Sequence, residues 1–381
     1  MKKIIVSVTN DLSTDQRVDR VCNTLQQNGF DVLLVGRELK NSKPLHLRAY
    51  QTHRMKLWFE KGFLFYASFN ISLFFFLLFA KADVLLANDL DTLPANFFCS
   101  KIKSQTLVYD SHEYFTGVPE IQDRPYVKNT WKRIERFILP KIKHAYTVNE
   151  SIARLYKDEY NIDFAVVRNL PLKRNAGVKS KSRKELGLPE NKRIILLQGS
   201  GINVDRGGEE AVQAMEFLDN AVLLIIGSGD VIDTLKSMSE KPTIKGKVIF
   251  KGKLPYSEML EYTANADVGI SFDKDTNINY RFSLPNKIFD YLQCGIPVLA
   301  SRLPEIEKVI TAYHVGDFID THEPKHIADK LNEMFNNTTK QAEWKANTVE
   351  AAKTLNWEKE EEELMKTYNK VLSPLGRVRV G

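Results

Sequence analysis

Short apolar runs rich in β-branched residues recur along the whole chain, with helix-length amphipathic stretches between them. In the first half the runs are Lys3–Val8, Asp31–Val35, Asp83–Ala87, Thr106–Tyr109, Ala145–Val148 and Ala165–Val167. In the second half they are Arg193–Gln198, Ala221–Ile226, Lys247–Phe250, Asp267–Phe272, Ile296–Ala300 and Val315–Ile319. A strand that is apolar throughout must be covered on both faces, and helices between such strands supply the cover, so the pattern predicts parallel sheets built from βαβ units. Residues 170–192, LPLKRNAGVKSKSRKELGLPENK, are polar, basic and turn-rich and read as the junction between halves. The expectation is an α/β chain with two Rossmann-like domains facing each other across a cleft. The first domain covers 1–172, the linker 173–192 and the second domain 193–360. The C-terminal piece, 361–381, is a terminal helix and tail that returns to the first domain. The helix pattern itself runs from Trp357 to Leu372, and the last residues, PLGRVRVG, show no structural pattern. In sheets of this kind ligands bind beyond the carboxyl ends of the strands.

At 381 residues the chain is long enough for two ordinary domains, and 43% hydrophobic with 27% charged residues is a globular composition. The net charge of +6 suits an anionic ligand or surface. Lysine and arginine are scattered rather than striped among aromatics, which argues against a nucleic-acid partner. Cys22, Cys99 and Cys294 lack metal spacing and read as reduced core residues, which fits the cytoplasm. The opening MKKIIVSVTND has too short an apolar run for a signal peptide. Residues 63–80, FLFYASFNISLFFFLLFA, approach the minimum length of a membrane span, although Ser68, Asn70 and Ser72 interrupt them. Two readings lead for this helix, ahead of a true span: it is packed on both sides, or it lies at a membrane surface with Arg48, Arg54, Lys56 and Lys61 on anionic lipid. The second reading makes 48–80 a peripheral membrane contact.

Several chemistries are excluded by their missing motifs. After the first strand comes TNDLSTDQR, with no glycine, so the first half lacks the GxGxxG of a nicotinamide site. GSGD, 227–230, reads as a tight strand-to-helix turn. The pairs Asp89/Asp91 and Asp273/Asp275 have the spacing of metal-binding DxD strings, a spacing that is common by chance, and no metal site is assigned. Three segments do carry candidate chemistry. In SLPNKIFDYLQCGIPVLAS, 283–301, Ser283 can cap a helix with Pro285 in its first turn, and Lys287 and Asp290 share one face near the phosphate-attracting end. In QGSGINVDRGGEEAVQAM, 198–215, Gly199 and Gly201 allow close approach of a ligand, and Arg206 stands ready for a diphosphate. In YDSHEYF, 109–115, Asp110, His112 and Glu113 lie at a strand's carboxyl end.

These segments, in this order, resemble the group 1, family 4 glycosyltransferases, whose fold is GT-B. The likeness extends over NDLSTDQRVDRV (10–21), LLANDLDTLPA (85–95), LVYDSHEYF (107–115), YTVNESIA (146–153), RNLP (168–171), LQGSGINVDRGGEEAVQAM (197–215), LLIIGSGD (223–230) and FKGKLPYSEMLEYTANADVGIS (250–271), and ends on LPNKIFDYLQCGIPVLAS.

The resemblance implies a retaining, metal-independent transfer of sugar from a nucleoside diphosphate donor, UDP- or GDP-linked, with no cofactor, to a saccharide or lipid-linked acceptor in cell-surface polysaccharide or glycolipid synthesis. It places the enzyme in the cytoplasm or at the inner face of the membrane. It implies catalytic roles for His112, Arg206 and Lys287. Donor contacts fall on Asp290, Asn286, Gly199, Gly201, Leu284, Pro285 and Ser13, the last in the Asp11–Thr14 loop. Asp290 stands where the family's second glutamate binds ribose, one methylene shorter. Phe282 stands where the first glutamate belongs, which leaves Asn279 and Asp275 as alternatives for contacting the donor sugar. The first loop lacks the family's glycines, and the arginine that precedes the phosphate-loop cation falls at Ser200 or Gly201. These departures keep three rivals open: an inactive, membrane-associated GT-B partner protein, a sugar-nucleotide epimerase, and an NAD oxidoreductase.

Overall fold

The computed structural model describes residues 1–13, 15–174 and 181–372. The chain divides into two compact units, one of Met1–Asn169 with Glu360 onward, the other of Leu170–Lys359. The first unit is built on β1 (Lys2–Ser7), β2 (Phe30–Glu38), β3 (Gln51–Lys56), β4 (Val84–Asn88), β5 (Thr106–Ser111), β6 (His144–Thr147) and β7 (Ala165–Val166). They form a seven-stranded sheet in the order β3-β2-β1-β4-β5-β6-β7. The second unit uses β8 (Arg193–Gly199), β9 (Ala221–Gly227), β10 (Val248–Gly252), β11 (Val268–Ser271), β12 (Val298–Ser301) and β13 (Gly316–Ile319). Their six-stranded sheet runs β10-β9-β8-β11-β12-β13. Every pairing is parallel. In each sheet the order reverses beside the first strand of the unit, between β1 and β4 and between β8 and β11. Such a reversal sends the following helices to opposite faces and opens a crevice at the strands' carboxyl ends.

The period of two explains why these strands are apolar without alternation. In β8, Ile194 and Leu196 enter one core while Ile195 and Leu197 enter the other. In β9, Val222, Leu224 and Ile226 face the first core, and Ala221, Leu223 and Ile225 face the second. Both faces are dry, so a polar side chain on either costs stability unless it finds a hydrogen bond.

The structure departs from the sequence expectation in several places. β3 was not foreseen: QTHRMK is polar because it is an edge strand, and only Met55 is buried. The stretch read as a linker is in part body of the second unit. Leu170, Leu186 and Leu188 lie in its core, and Arg183 binds Asp267 at 2.8 Å and the Asn265 carbonyl. Residues 175–180 of that stretch, Thr14 of the first loop and the PLGRVRVG tail lie outside the described residues. The terminal helix Trp357–Leu372 begins in the second unit and joins the first from Glu360. There Glu360 takes the Arg168 guanidinium, and Tyr368 packs edge-on against Phe30. Cys22 and Cys99 are buried free thiols, whereas Cys294 is half-buried at a helix end and accepts from Arg174. The Gly62–Phe79 helix is not packed on both sides: Phe65, Phe69, Leu73 and Leu77 are buried, and much of the rest is exposed.

Candidate active site

In the second unit the carboxyl ends of β8 and β11 bring two sequence motifs together. The loop after β8 carries Arg206. The residue two past β11 is Asp273, fully buried. Arg206 Nη1 donates to Asp273 Oδ1 at 2.9 Å, and Lys287 Nζ lies 3.7 Å from Oδ2. Ser271 donates its hydroxyl to Oδ2 at 2.9 Å. Burial pushes the Asp273 carboxyl up, but Lys287 and Arg206 more than reverse it and hold it below the usual carboxylate range. Burial lowers Lys287 below the usual lysine range, although Asp273 pulls it back. The Arg206 guanidinium also stacks on Tyr280, 4.4 Å from the ring centre, and its Nε is buried without a partner. Two cations thus share one carboxylate, leaving one positive charge in excess.

The loop is shaped by close backbone approach. Gly207, with φ +74°, begins the helix Gly208–Ala214, and a Cβ there would meet Phe272 at 2.2 Å. GSGD serves this loop rather than a ligand: a Cβ on Gly229 would sit 2.0 Å from the Ile202 carbonyl. Ile202 N–H donates to Ser228 O, and Ser228 N–H to Gly199 O. Space over Gly201, by contrast, is open, its nearest neighbour standing 4.0 Å away.

The helix carrying Lys287 starts at Asn286, two residues later than a Ser283 cap would start it. Pro285 is the cap position, and no side chain caps the helix. Ser283 Oγ is buried without a partner. An uncapped first turn keeps its N–H groups and partial positive charge for an anion. Asn286 is exposed at this end, and Leu284 packs on the core beneath it. Asp290, one turn further, is buried. Its carboxylate accepts from Tyr256 Oη at 2.6 Å and from Gln198 Nε2 at 3.1 Å. The two alternatives to Phe282 differ: Asp275 is half-exposed beside Arg281 at 3.3 Å, and Asn279 is buried.

The first unit has its own cluster at the ends of β4 and β5. His112 Nδ1 stands 3.3 Å from Asp89 Oδ2, and Nε2 stands 3.2 Å from Asp110 Oδ2. Burial alone would lower the imidazole, but Asp89 and Asp110 reverse this and push it up to about 10. Arg17 grips the other side of Asp110 through two nitrogens, at 2.8 and 3.2 Å. Asp89 adopts φ +58°, a left-handed conformation that aspartate tolerates at a cost of about 1 kcal/mol. Its Oδ1 accepts the His112 backbone N–H at 2.9 Å, which fixes the turn. Asp91 is buried, accepts from Thr9 Oγ1 at 2.7 Å, and is raised to about 7 by burial and by Asp89. Ser13, also in this unit, donates its hydroxyl and N–H to Asp11 Oδ1.

Of the residues named from sequence, Arg206 and Lys287 come together, Gly199, Gly201, Leu284, Pro285, Asn286 and Asp290 line the same sheet end, and His112 and Ser13 belong to the other unit. Asp273, whose DxD spacing is common by chance, is the carboxylate that both cations meet. Its signal was its place directly beyond an apolar strand, where a buried charge needs partners. Tyr280, Tyr256 and Gln198 had no signal at all.

Comparison with known proteins defines the class of this architecture. A sucrose-phosphate synthase from Thermosynechococcus elongatus superposes with a TM-score of 0.79 over 98% of this chain and 99% of its own, at 15% identity. Anabaena HepE in complex with UDP and glucose gives 0.74 over 97% and 100%, at 14% identity. The fold is GT-B. Residues 178–351 match the family described as Glycosyl transferases group 1. A D-inositol 3-phosphate glycosyltransferase of Corynebacterium glutamicum is 23% identical over 203 residues, which is 51% of this chain and 47% of that protein, about half its length. Over residues 178–351, in the second unit, the chain is similar to the group 1 glycosyltransferases.

Proposed function

We propose that the protein transfers a sugar from a nucleoside diphosphate sugar to a saccharide or lipid-linked acceptor, with retention at the anomeric carbon and without a metal. The observation that carries this reading is the pair Arg206 and Lys287 on one buried carboxylate, beside the uncapped start of the Asn286–Gln293 helix. The excess cation and the free N–H groups are suited to a departing diphosphate, whose developing charge they stabilise. The C1–O bond to the diphosphate breaks while the acceptor oxygen bonds to C1 on the same face. The acceptor's proton passes to the leaving phosphate oxygen, so no protein base is required. Asp290, one turn into the helix, is assigned to the ribose hydroxyls. His112, a cation whose two ring nitrogens face Asp89 and Asp110, is assigned to holding the ends of β4 and β5 in shape and not to proton abstraction. The glycosyltransferase likeness of residues 178–351 and the UDP bound to HepE support a nucleotide donor, and the free thiols fit the cytoplasm.

Thermal unfolding with UDP, GDP, ADP and their sugar conjugates, with chelator present, tests the donor site. One nucleotide family should raise the midpoint, with a stabilisation of about 2.7 kcal/mol at a hundredfold excess over Kd. Arg206→Ala should abolish the shift. No shift with any nucleotide sinks the donor site and favours the second reading, an inactive GT-B partner protein, to which Phe282 in place of the sugar-binding glutamate points.

A further inference from the structure

We infer that the Tyr256–Thr263 helix makes the donor site selective for a nucleoside diphosphate whose ribose keeps both hydroxyls, over its 2′-deoxy counterpart, with Tyr256, Thr263 and Gln198 as positioning residues. This rests on the assignment of Asp290 to the ribose and deepens it.

The helix reaches both oxygens of the Asp290 carboxylate, one from each of its ends. Tyr256 is its first residue and Thr263 its last. Seven positions at about 100° each come within about 20° of two full turns, so both side chains leave the same face, about 10 Å apart along the axis. Tyr256 Oη donates to Oδ1 at 2.6 Å. Thr263 acts at one remove: its hydroxyl donates to Gln198 Oε1 at 2.7 Å, and Gln198 Nε2 donates to Oδ2 at 3.1 Å. Gln198 comes from β8 and Asp290 from the Asn286–Gln293 helix, so three elements meet at one carboxylate.

The hydrogen bonds in this relay can run in one sense only. An ionised carboxylate accepts and never donates, so the amide nitrogen of Gln198 must face it. The amide oxygen then faces Thr263, which must donate. The Thr263 hydroxyl also lies 2.9 Å from the Met259 carbonyl of its own helix, the longer of its two contacts. Gln198 and Thr263 are both buried. An amide turned the other way would set its oxygen against the carboxylate in a site that water does not screen.

Orientation decides selectivity. A carboxylate has about four acceptor positions, two on each oxygen, so holding it at both oxygens does not exhaust it. It does stop the group turning about its last bond. A ribose diol then donates to two acceptors already in place. A 2′-deoxyribose donates to one and leaves the other unmatched, which is costly in a closed site. A carboxylate free to turn would adapt to either sugar and discriminate less.

Calorimetric titration of the full chain with UDP, GDP and ADP, each beside its 2′-deoxy form, tests this. The parent should bind the ribonucleotide of the preferred base about tenfold or more tightly than the deoxy form. Tyr256→Phe and Thr263→Val should each cut that ratio about threefold or more, by weakening the ribonucleotide and leaving the deoxy form nearly as in the parent. Thr263→Ser, which keeps the hydroxyl, should retain the ratio. Tyr256 is only half-buried, so Tyr256→Phe should fold as the parent does and carries the test alone if Thr263→Val does not fold. A parent that binds both forms equally, or variants that keep the parental ratio or weaken both forms alike, would overturn this inference and leave the donor site standing. A parent that binds none of the nucleotides overturns both.

Discussion

The two carboxyl-edge clusters are electrostatic opposites. In the second unit one carboxylate, Asp273, lies between two cations, Arg206 and Lys287. In the first unit one imidazole, His112, lies between two carboxylates, Asp89 and Asp110. Arg17 completes the second arrangement, so that two cations meet two anions and the charges balance. The first arrangement keeps a positive charge in excess. A balanced cluster is a scaffold that holds a shape, whereas an unbalanced one is incomplete until an anion arrives. The same topology, a strand-order reversal beside the first strand of a unit, thus supports two different electrostatic tasks.

The largest test of this contrast is Arg206→Ala. Removing a group that stabilises a leaving charge costs about 3 kcal/mol or more, a hundredfold or greater loss of kcat. The fold should persist because Lys287 still balances Asp273. Donor hydrolysis in the absence of acceptor, read beside the circular dichroism spectrum, checks both halves, and parental turnover in this variant would refute the assignment.

Next comes Asp273→Asn, which leaves two partly buried cations unmatched. Removing one partner of a buried ion cluster costs about 3 kcal/mol. A nucleoside diphosphate should recover more stability in this variant than in the parent, since its phosphates supply the missing negative charge. Denaturant unfolding with and without nucleotide reads this directly. An equal nucleotide effect in both proteins would separate Asp273 from the donor site.

The smallest effect is a pH slope from the first unit. The folded pKa of His112, about 10, lies above its ordinary 6.5. A raised pKa means extra protons bound by the native state, so this stabilisation is complete below pH 6.5 and is lost as pH rises towards 10. The slope is at most about 1.4 kcal/mol per pH unit for a single proton. Asp91, raised from 3.8 to about 7, adds a slope of the same sign at lower pH, so the comparison belongs above pH 7. His112→Gln should flatten the slope between pH 7 and 10 in a series of urea titrations. An unchanged slope would show that the imidazole is not held as a cation.

Much of the architecture was legible because it is written in periodicity. Strands covered on both faces must be apolar throughout, and each apolar run of the sequence analysis corresponds to an observed strand. β3 escaped because an edge strand with one buried residue carries no such pattern. At the site, Arg206, Lys287 and Asp290 could be named because they follow glycine- and proline-marked turns. Asp273 could be seen but not valued, because its role depends on two cations, one 67 residues before it, brought to the same carboxylate. Tyr256 and Gln198 meet Asp290 only through packing, and no local spacing encodes that.

Sequence by itself determined the alternation of strand and helix, the two-unit organisation, the glycines that let backbone pass backbone, and the charge-free, mostly apolar run of residues 63–80. Tertiary structure decided which side of that run is buried, where the Asn286–Gln293 helix begins, and which carboxylates are matched by which cations. The physical reason is range. Backbone geometry and hydrophobic periodicity act between residues a few positions apart. Burial and charge balance are sums over neighbours that only the folded chain assembles.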